Sequence, residues 1–270
     1  MKAVVLARGK GTRMQRADAA ASADSAQATV ADSGIKGMIP FRRPFLDYVL
    51  SALADAGCSD VCLVIGPEHD VIRDYYERAS VPQRVRVHFA VQAEARGTAD
   101  AVLSARAFVG GDPFLTLNSD NYYPADVLRA LVELDGPGLP AFSRQSLVAT
   151  SNIDPERIRT YALLESVDGY LTEIIEKPDE ATFARFERGG GDVAISMNCW
   201  RFDASIFDAC LATPPSARGE VELPNAVRYA IRHLGIRFRT VPVNAGVLDL
   251  SRRQDIAEVE RRLAHVDPRP

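Results

Sequence analysis

Cysteine and histidine are scarce in this chain of 270 residues, four of each, and neither is spaced for chemistry. Cys58, Cys62, Cys199 and Cys210 form no C-x-x-C pair and are too few to staple a chain of this length, so they read as reduced and mostly buried. His69, His88, His233 and His265 lie far apart, which argues against a zinc site. No apolar run is long enough to span a bilayer. The N-terminal one is broken by Arg8 and Lys10, too early for a secretory signal. Charge of one sign is lacking too: a net charge of −4 with both signs interspersed argues against nonspecific nucleic-acid binding and against a membrane-surface role. The expectation is a cytoplasmic protein whose ligands are small; a homo-oligomer is compatible with the sequence.

What the chain does have is apolar mass, 47% of residues, enough for one large α/β core. Its most informative segment is LARGKGTRM, residues 6–14, directly after the short β-branched run 2–6. A buried strand that ends in such a turn offers backbone N–H groups at Gly9 and Gly11, and charge at Lys10 and Arg13, to a phosphate. The turn lacks the last glycine of G-x-G-x-x-G and the Gly-Lys-Ser/Thr of a Walker loop, so neither a dehydrogenase nor an ordinary ATPase is favoured.

Apolar runs at 61–65, 85–91 and 114–117 read as further buried strands. They alternate with helical patterns at 44–56, 71–78, 98–108 and 125–134, the signature of βα units around a largely parallel sheet. The second half is less regular. Segments 161–165 and 170–175 flank Asp168-Gly169, a hairpin signal. Helices are expected at 180–188, 204–211, 221–234 and 251–264, with strands at 192–202 and 237–243. Residues 17–34, rich in alanine, serine and aspartate, read as a flexible insertion with little to give a core.

Parallel α/β sheets bind ligands at the carboxyl ends of their strands, and charged residues gather there. Arg13 and Lys36 follow the first strand, Asp120 the run 114–117, Glu176-Lys177-Pro178 the run 170–175, and Asp249 the stretch 246–248. Two acids suit a hard cation such as Mg²⁺, and three bases suit phosphate. For any one of them a helix cap or a surface ion pair is the competing explanation.

Taken together these segments resemble the sugar-1-phosphate nucleotidyltransferases, the family of glucose-1-phosphate thymidylyl- and uridylyltransferases. LARGKGTRM is similar to that family's L-A-G-G-x-G-T-R-L, and Lys36 to Pro40 with Arg43-Pro44 to its K-x-x-x-P…K-P element. Gln92-Ala93-Glu94-Ala95-Arg96-Gly97-Thr98-Ala99 resembles Q-x-E-x-x-G-T-A; Asp120 falls at the L-x-G-D aspartate, Glu176-Lys177-Pro178 at E-K-P, Arg218-Gly219-Glu220 at R-G-E, and Asp249 at the end of G-x-W-x-D.

The resemblance implies a Rossmann-like three-layer α/β/α fold with a mixed, mostly parallel central sheet. It implies one domain over 1–270, with 1–135 mainly holding a nucleoside triphosphate and 136–270 mainly a sugar phosphate. Leu6, Gly9, Gly11, Thr12, Arg13, Gln92, Gly97, Thr98 and Asp120 would bind nucleotide. Asn121, Ala162, Glu176, Lys177, Asn198, Arg218 and Glu220 would bind the sugar phosphate. Arg13, Lys36 and Lys177 would be catalytic, and Asp120 with Asp249 would hold Mg²⁺. The expected reaction is Mg²⁺-dependent nucleotidyl transfer from UTP or dTTP. A cytidylyltransferase acting on a non-sugar phosphate or phosphonate, and a non-catalytic ligand-binding regulator, remain open.

The chain departs from the family pattern in five places. Arg8 replaces a small residue, Ser119 and Cys199 replace glycines, Ala162 stands where glycine is usual, and Val247 replaces tryptophan. A methyl group where a backbone should approach a hydroxyl changes the space for the acceptor, so a modified sugar or a cyclitol phosphate is expected.

Overall fold

The computed structural model describes residues 1–16, 22–189 and 192–270. Strand β1 (Lys2–Leu6) shows why the chain forms three layers. Ala3 and Val5 enter one core while Val4 and Leu6 enter a second on the opposite face. Strand β2 (Asp60–Ile65) divides its side chains in the same way, with Val61, Leu63 and Ile65 on one face and Cys62 and Val64 on the other. A sheet apolar on both faces needs helices on both. Phe45–Asp55, Ala125–Val132 and Asp255–Leu263 cover the first face; Thr98–Ser104, Ile206–Ala212 and Leu223–Leu234 cover the second.

With β3 (Arg86–Val91) and β4 (Phe114–Asn118), these strands form a parallel set in the order β4-β1-β2-β3. Beyond β4 the chain adds β5 (Asn121–Tyr122), β6 (Gly138–Ser143), β7 (Leu163–Val167), β8 (Tyr170–Ile175), β9 (Ala194–Ile195), β10 (Trp200–Phe202), β11 (Arg239–Val243) and β12 (Leu248–Asp249). Ten strands join one mixed sheet, β11-β8-β7-β9-β6-β10-β4-β1-β2-β3, and β11 also pairs with β6, so five strands close into a ring. The small pair β5–β12 sets Asn121 opposite Asp249.

Three expectations need correction. Strand β6 and the helix Arg144–Thr150 were not foreseen, because Gly138 and Pro140 disguise a central strand. The expected strand at 192–202 breaks at Asn198, whose φ of 56° no strand accommodates. Within the presumed flexible insertion, Ser25–Ser33 is a helix. Asp24 and Gln27 form a capping box at its start, and Gln27 and Ala31 are buried. Gln27 donates to Pro40 O and to Glu260, and Arg253 pairs with Asp32, so this part of the segment is stapled to the body. Residues 17–21 of that segment lie outside the described residues.

All four cysteines are free and buried. No helix among the described residues is long and apolar enough to cross a membrane.

Candidate active site

Where β1 and β4 end, their parallel register leaves a cavity of about 380 Å³. Leu6, Gly9 and Thr12 line it from the first turn, Lys36 from the segment beyond the insertion, and Gln92, Gly97 and Thr98 from the loop after β3. Gly9 borders open space, so its backbone is bare toward the cavity. Gly11 serves otherwise. At φ 61° a Cβ there would lie 2.1 Å from the Gly34 carbonyl oxygen, so Gly11 lets the turn pack against Gly34 and does not itself line the cavity.

The loop after β3 is stitched to a distant segment. Gly97, at φ 115°, passes so close to Val221 that a Cβ would sit 2.5 Å from its carbonyl oxygen. Ala99 N donates to Val221 O, Val221 N to Arg96 O, and Leu223 N to Thr98 Oγ1. This stitching carries Glu220 into the first cavity, whereas the family resemblance places it with the sugar phosphate. Arg218 lines neither described cavity and instead pairs with Glu222.

Arg8 also lines the first cavity. Its guanidinium is held by Glu68 at 3.0 Å and donates to Gln92 O at 3.2 Å. It therefore braces the mouth of the cavity against the strand end that carries Gln92.

A second cavity of about 240 Å³ adjoins the first, and Asn118 and Asp120 line both. Arg13, Asn121, Ala162, Glu176, Lys177, Asn198 and Asp249 line the second, so Arg13 faces this side and not the first cavity. Lys177 and Asn198 hold positive φ, 45° and 56°, a conformation that costs a non-glycine residue about 1–3 kcal/mol and that clusters at functional sites. Burial, and next the charge of Glu222, raise the Glu176 carboxyl above its ordinary value. Cys199 is buried in the core and lines neither cavity, so its replacement of glycine does not reshape the acceptor space.

The two aspartates at this junction are held very differently. Asp120 makes an ion pair with Lys36, which is its one side-chain partner among the described residues. Asp249 accepts from Arg157 Nη2 at 2.7 Å and Ser251 N at 2.9 Å on one oxygen, and from Asn121 and Tyr161 on the other, both at 3.2 Å. Arg157 is itself buried and bound through Nη1 to Asp255 at 2.9 Å. Burial opposes the Arg157 charge, but Asp249 and Asp255 outweigh it and its pKa ends above the ordinary value. Tyr161 is pushed up by burial and by Asp249.

A family model described as nucleotidyl transferase matches residues 30–237. The chain belongs to that family. Among curated nucleotidyltransferases it is 27% identical over 270 residues to the UTP–glucose-1-phosphate uridylyltransferase AglF of Haloferax volcanii, covering 97% of this chain and 96% of that protein. It is 28% identical to a glucose-1-phosphate thymidylyltransferase of Streptomyces griseus, with 97% of this chain and 65% of that one aligned. It matches the bifunctional protein GlmU of Methanococcus vannielii at 26% identity, spanning only 53% of that longer protein. A crystal structure of UDP-glucose pyrophosphorylase complexed with UDP-glucose superposes with a TM-score of 0.73 at 17% identity, over 97% of this chain and 98% of the other, which shows the shared fold.

The fold thus brings most of the residues read from the motifs to one junction. What motif reading missed in this nucleotidyltransferase is Arg157, Tyr161 and Asp100. Arg157 meets Asp249 across 92 residues of sequence, and no local pattern announces such a contact. Asp100 carried a local signal, lying eight residues after Gln92 in the first turn of the helix Thr98–Ser104.

Proposed function

We propose that this protein transfers a nucleotidyl group from UTP or dTTP to a sugar-1-phosphate or sugar-like phosphate, releasing pyrophosphate and giving a nucleoside-diphosphate sugar. The observation that supports this most is two cavities meeting at Asn118 and Asp120, with Lys36 on one side and Arg13 and Lys177 on the other. The larger would take the triphosphate and the smaller the acceptor. The names of the similar uridylyl- and thymidylyltransferases point the same way.

In the reaction, a phosphate oxygen of the acceptor bonds to the α-phosphorus as the bond from that phosphorus to the bridging oxygen of the leaving pyrophosphate breaks. A sugar phosphate is mostly dianionic at neutral pH, because its second pKa is about 6, and it needs no general base. The difficulty is bringing one polyanion up to another, so positioning and cationic charge carry catalysis. A unit charge about 4 Å away at an effective dielectric of ~20 contributes roughly 4 kcal/mol of Coulomb energy before desolvation. Lys36, Arg13 and Lys177 are therefore of the right size to matter.

The donor set fits a hard cation at Asp120, one of whose oxygens has no partner among the described residues. We place Mg²⁺ there, where it would supply positive charge to the phosphates. Asp249 joins as a second ligand only by exchanging one of its four donors. Ala162 puts a methyl group on the wall of the second cavity, which favours an acceptor other than plain glucose-1-phosphate. Free, buried cysteines suit a reducing compartment, and we assign the protein to the cytoplasm.

The test is a pyrophosphate-release screen of UTP, dTTP and CTP against a panel of sugar and cyclitol phosphates. Release with a uridine or thymidine nucleotide and one sugar-like phosphate is expected. Silence across every pair overturns the proposal, and glucose-1-phosphate as the best acceptor overturns its acceptor part.

A further inference from the structure

Gln92 follows the end of β3, nearly fully buried, and lines the first cavity. Its amide nitrogen donates to Gly97 O at 3.0 Å and to Asp100 Oδ2 at 2.7 Å. A carbonyl and a carboxylate are acceptors only, so both N–H groups of the amide are committed and its orientation is settled by chemistry. Oε1 is left, and it accepts no hydrogen bond from the described residues. The clamp is rigid at both ends. The backbone at Gly97 packs closely against Val221, and the Gln92 carbonyl is held by Arg8.

We propose that Asp100 is a specificity-determining positioning residue: by fixing the Gln92 amide it presents the base with an acceptor and no donor, selecting pyrimidines that carry an N3–H over cytosine. This rests on the larger cavity binding a pyrimidine nucleotide. Uracil and thymine offer a donor at N3, in the middle of their pairing edge, to Oε1. Cytosine offers an acceptor at the same place, and two facing acceptors repel. Were the Gln92 amide free to turn over, it would serve either base, because its two ends are nearly equal in shape. The carboxylate of Asp100 forbids that turn, since Oε1 would then face an anion.

The test is equilibrium binding of UTP, dTTP and CTP by calorimetry, which needs no acceptor, on the wild-type chain and on Asp100→Asn and Asp100→Ala. Wild type is expected to bind UTP and dTTP at least tenfold more tightly than CTP. In Asp100→Asn the new amide can donate as well as accept, so the preference should shrink by roughly tenfold, the scale of one hydrogen bond. Asp100→Ala, which leaves the amide held by the Gly97 carbonyl alone, should lose part of the preference, and unchanged melting temperatures in both variants establish that the fold is intact. Equal weakening for all three nucleotides would mark Asp100 as merely structural and overturn the proposal. So would a wild type that binds CTP as well as UTP. A wild type that binds none of the three overturns the nucleotidyltransferase reading itself, a result distinct from loss of selectivity.

Discussion

Asp120 and Asp249 both line the second cavity, where the β5–β12 pair sets Asp249 opposite Asn121, yet Asp120 has one side-chain partner among the described residues and Asp249 is saturated. Leu250 N donates to Asp120 O, so the backbones are knitted together and the contrast lies in the side chains. Asp120 answers to one flexible lysine, which can follow a phosphate. Asp249 is locked by four donors, one of them a buried guanidinium that Asp255 also holds. A carboxylate with spare lone pairs can serve a ligand, whereas one with none serves the fold first. The pair thus sets a carboxylate open to a ligand beside one committed to its protein partners.

Stability separates them most strongly. Asp249→Ala leaves Arg157 buried with only one of its two carboxylate partners and should destabilise the fold by about 3–5 kcal/mol, seen as a lower urea midpoint. Asp120→Ala should barely move that midpoint but lower turnover by about 10²–10³-fold. If the two variants lost stability equally, the contrast would fail.

Next in size are the glycines on the nucleotide side. Gly11→Ala forces a Cβ against the Gly34 carbonyl in a left-handed backbone, and a loss of about 1–3 kcal/mol is expected from thermal unfolding. Gly9→Ala, with open space around it, should leave unfolding unchanged and instead weaken nucleotide binding.

On the acceptor side, Lys177→Ala should raise the KM for the sugar phosphate by roughly tenfold while the nucleotide KM holds, the scale of one charge-assisted contact. A parallel rise in both would place Lys177 outside the acceptor pocket.

The smallest effect concerns Glu176. Burial first, and Glu222 second, raise its folded pKa above the unfolded value. Its contribution to stability is therefore fully present below the ordinary carboxylate range and is lost as pH rises through the folded pKa. Glu176→Gln should flatten that part of the stability profile and be slightly more stable than wild type at neutral pH. A variant less stable at neutral pH would show that the carboxylate is instead a structural acceptor.

The N-terminal half was largely legible because its strands are buried on both faces and its turn chemistry is local. β1, β2 and β4 announce themselves as apolar runs, and the residues after them are already in place when the strand ends. Even the helix Ser25–Ser33 carried a signal in the Asp24 and Gln27 capping pair, outweighed by its poor apolar content. The C-terminal half was harder to read. Pro140 sits in a central strand, Asn198 bends a strand with a positive φ, and Arg157 reaches its partners only through the tertiary fold. The motif residues there were found, but the network that holds Asp249 was not, because buried charges pair by proximity in space and leave no period along the chain.

The ring made when β11 returns to β6 has a further consequence for how the molecule behaves in a crowd. A strand whose ladder is open on one side is a template for another chain, and closing the ring removes that hazard from one flank of the main sheet. Among the described residues its remaining open flank is β3, which presents Arg86, tied to Asp60 through two bonds of 2.7 Å, and His88 beside it. Charged side chains along an exposed strand discourage edge-to-edge self-association, so the flank that topology leaves open is guarded by side-chain chemistry.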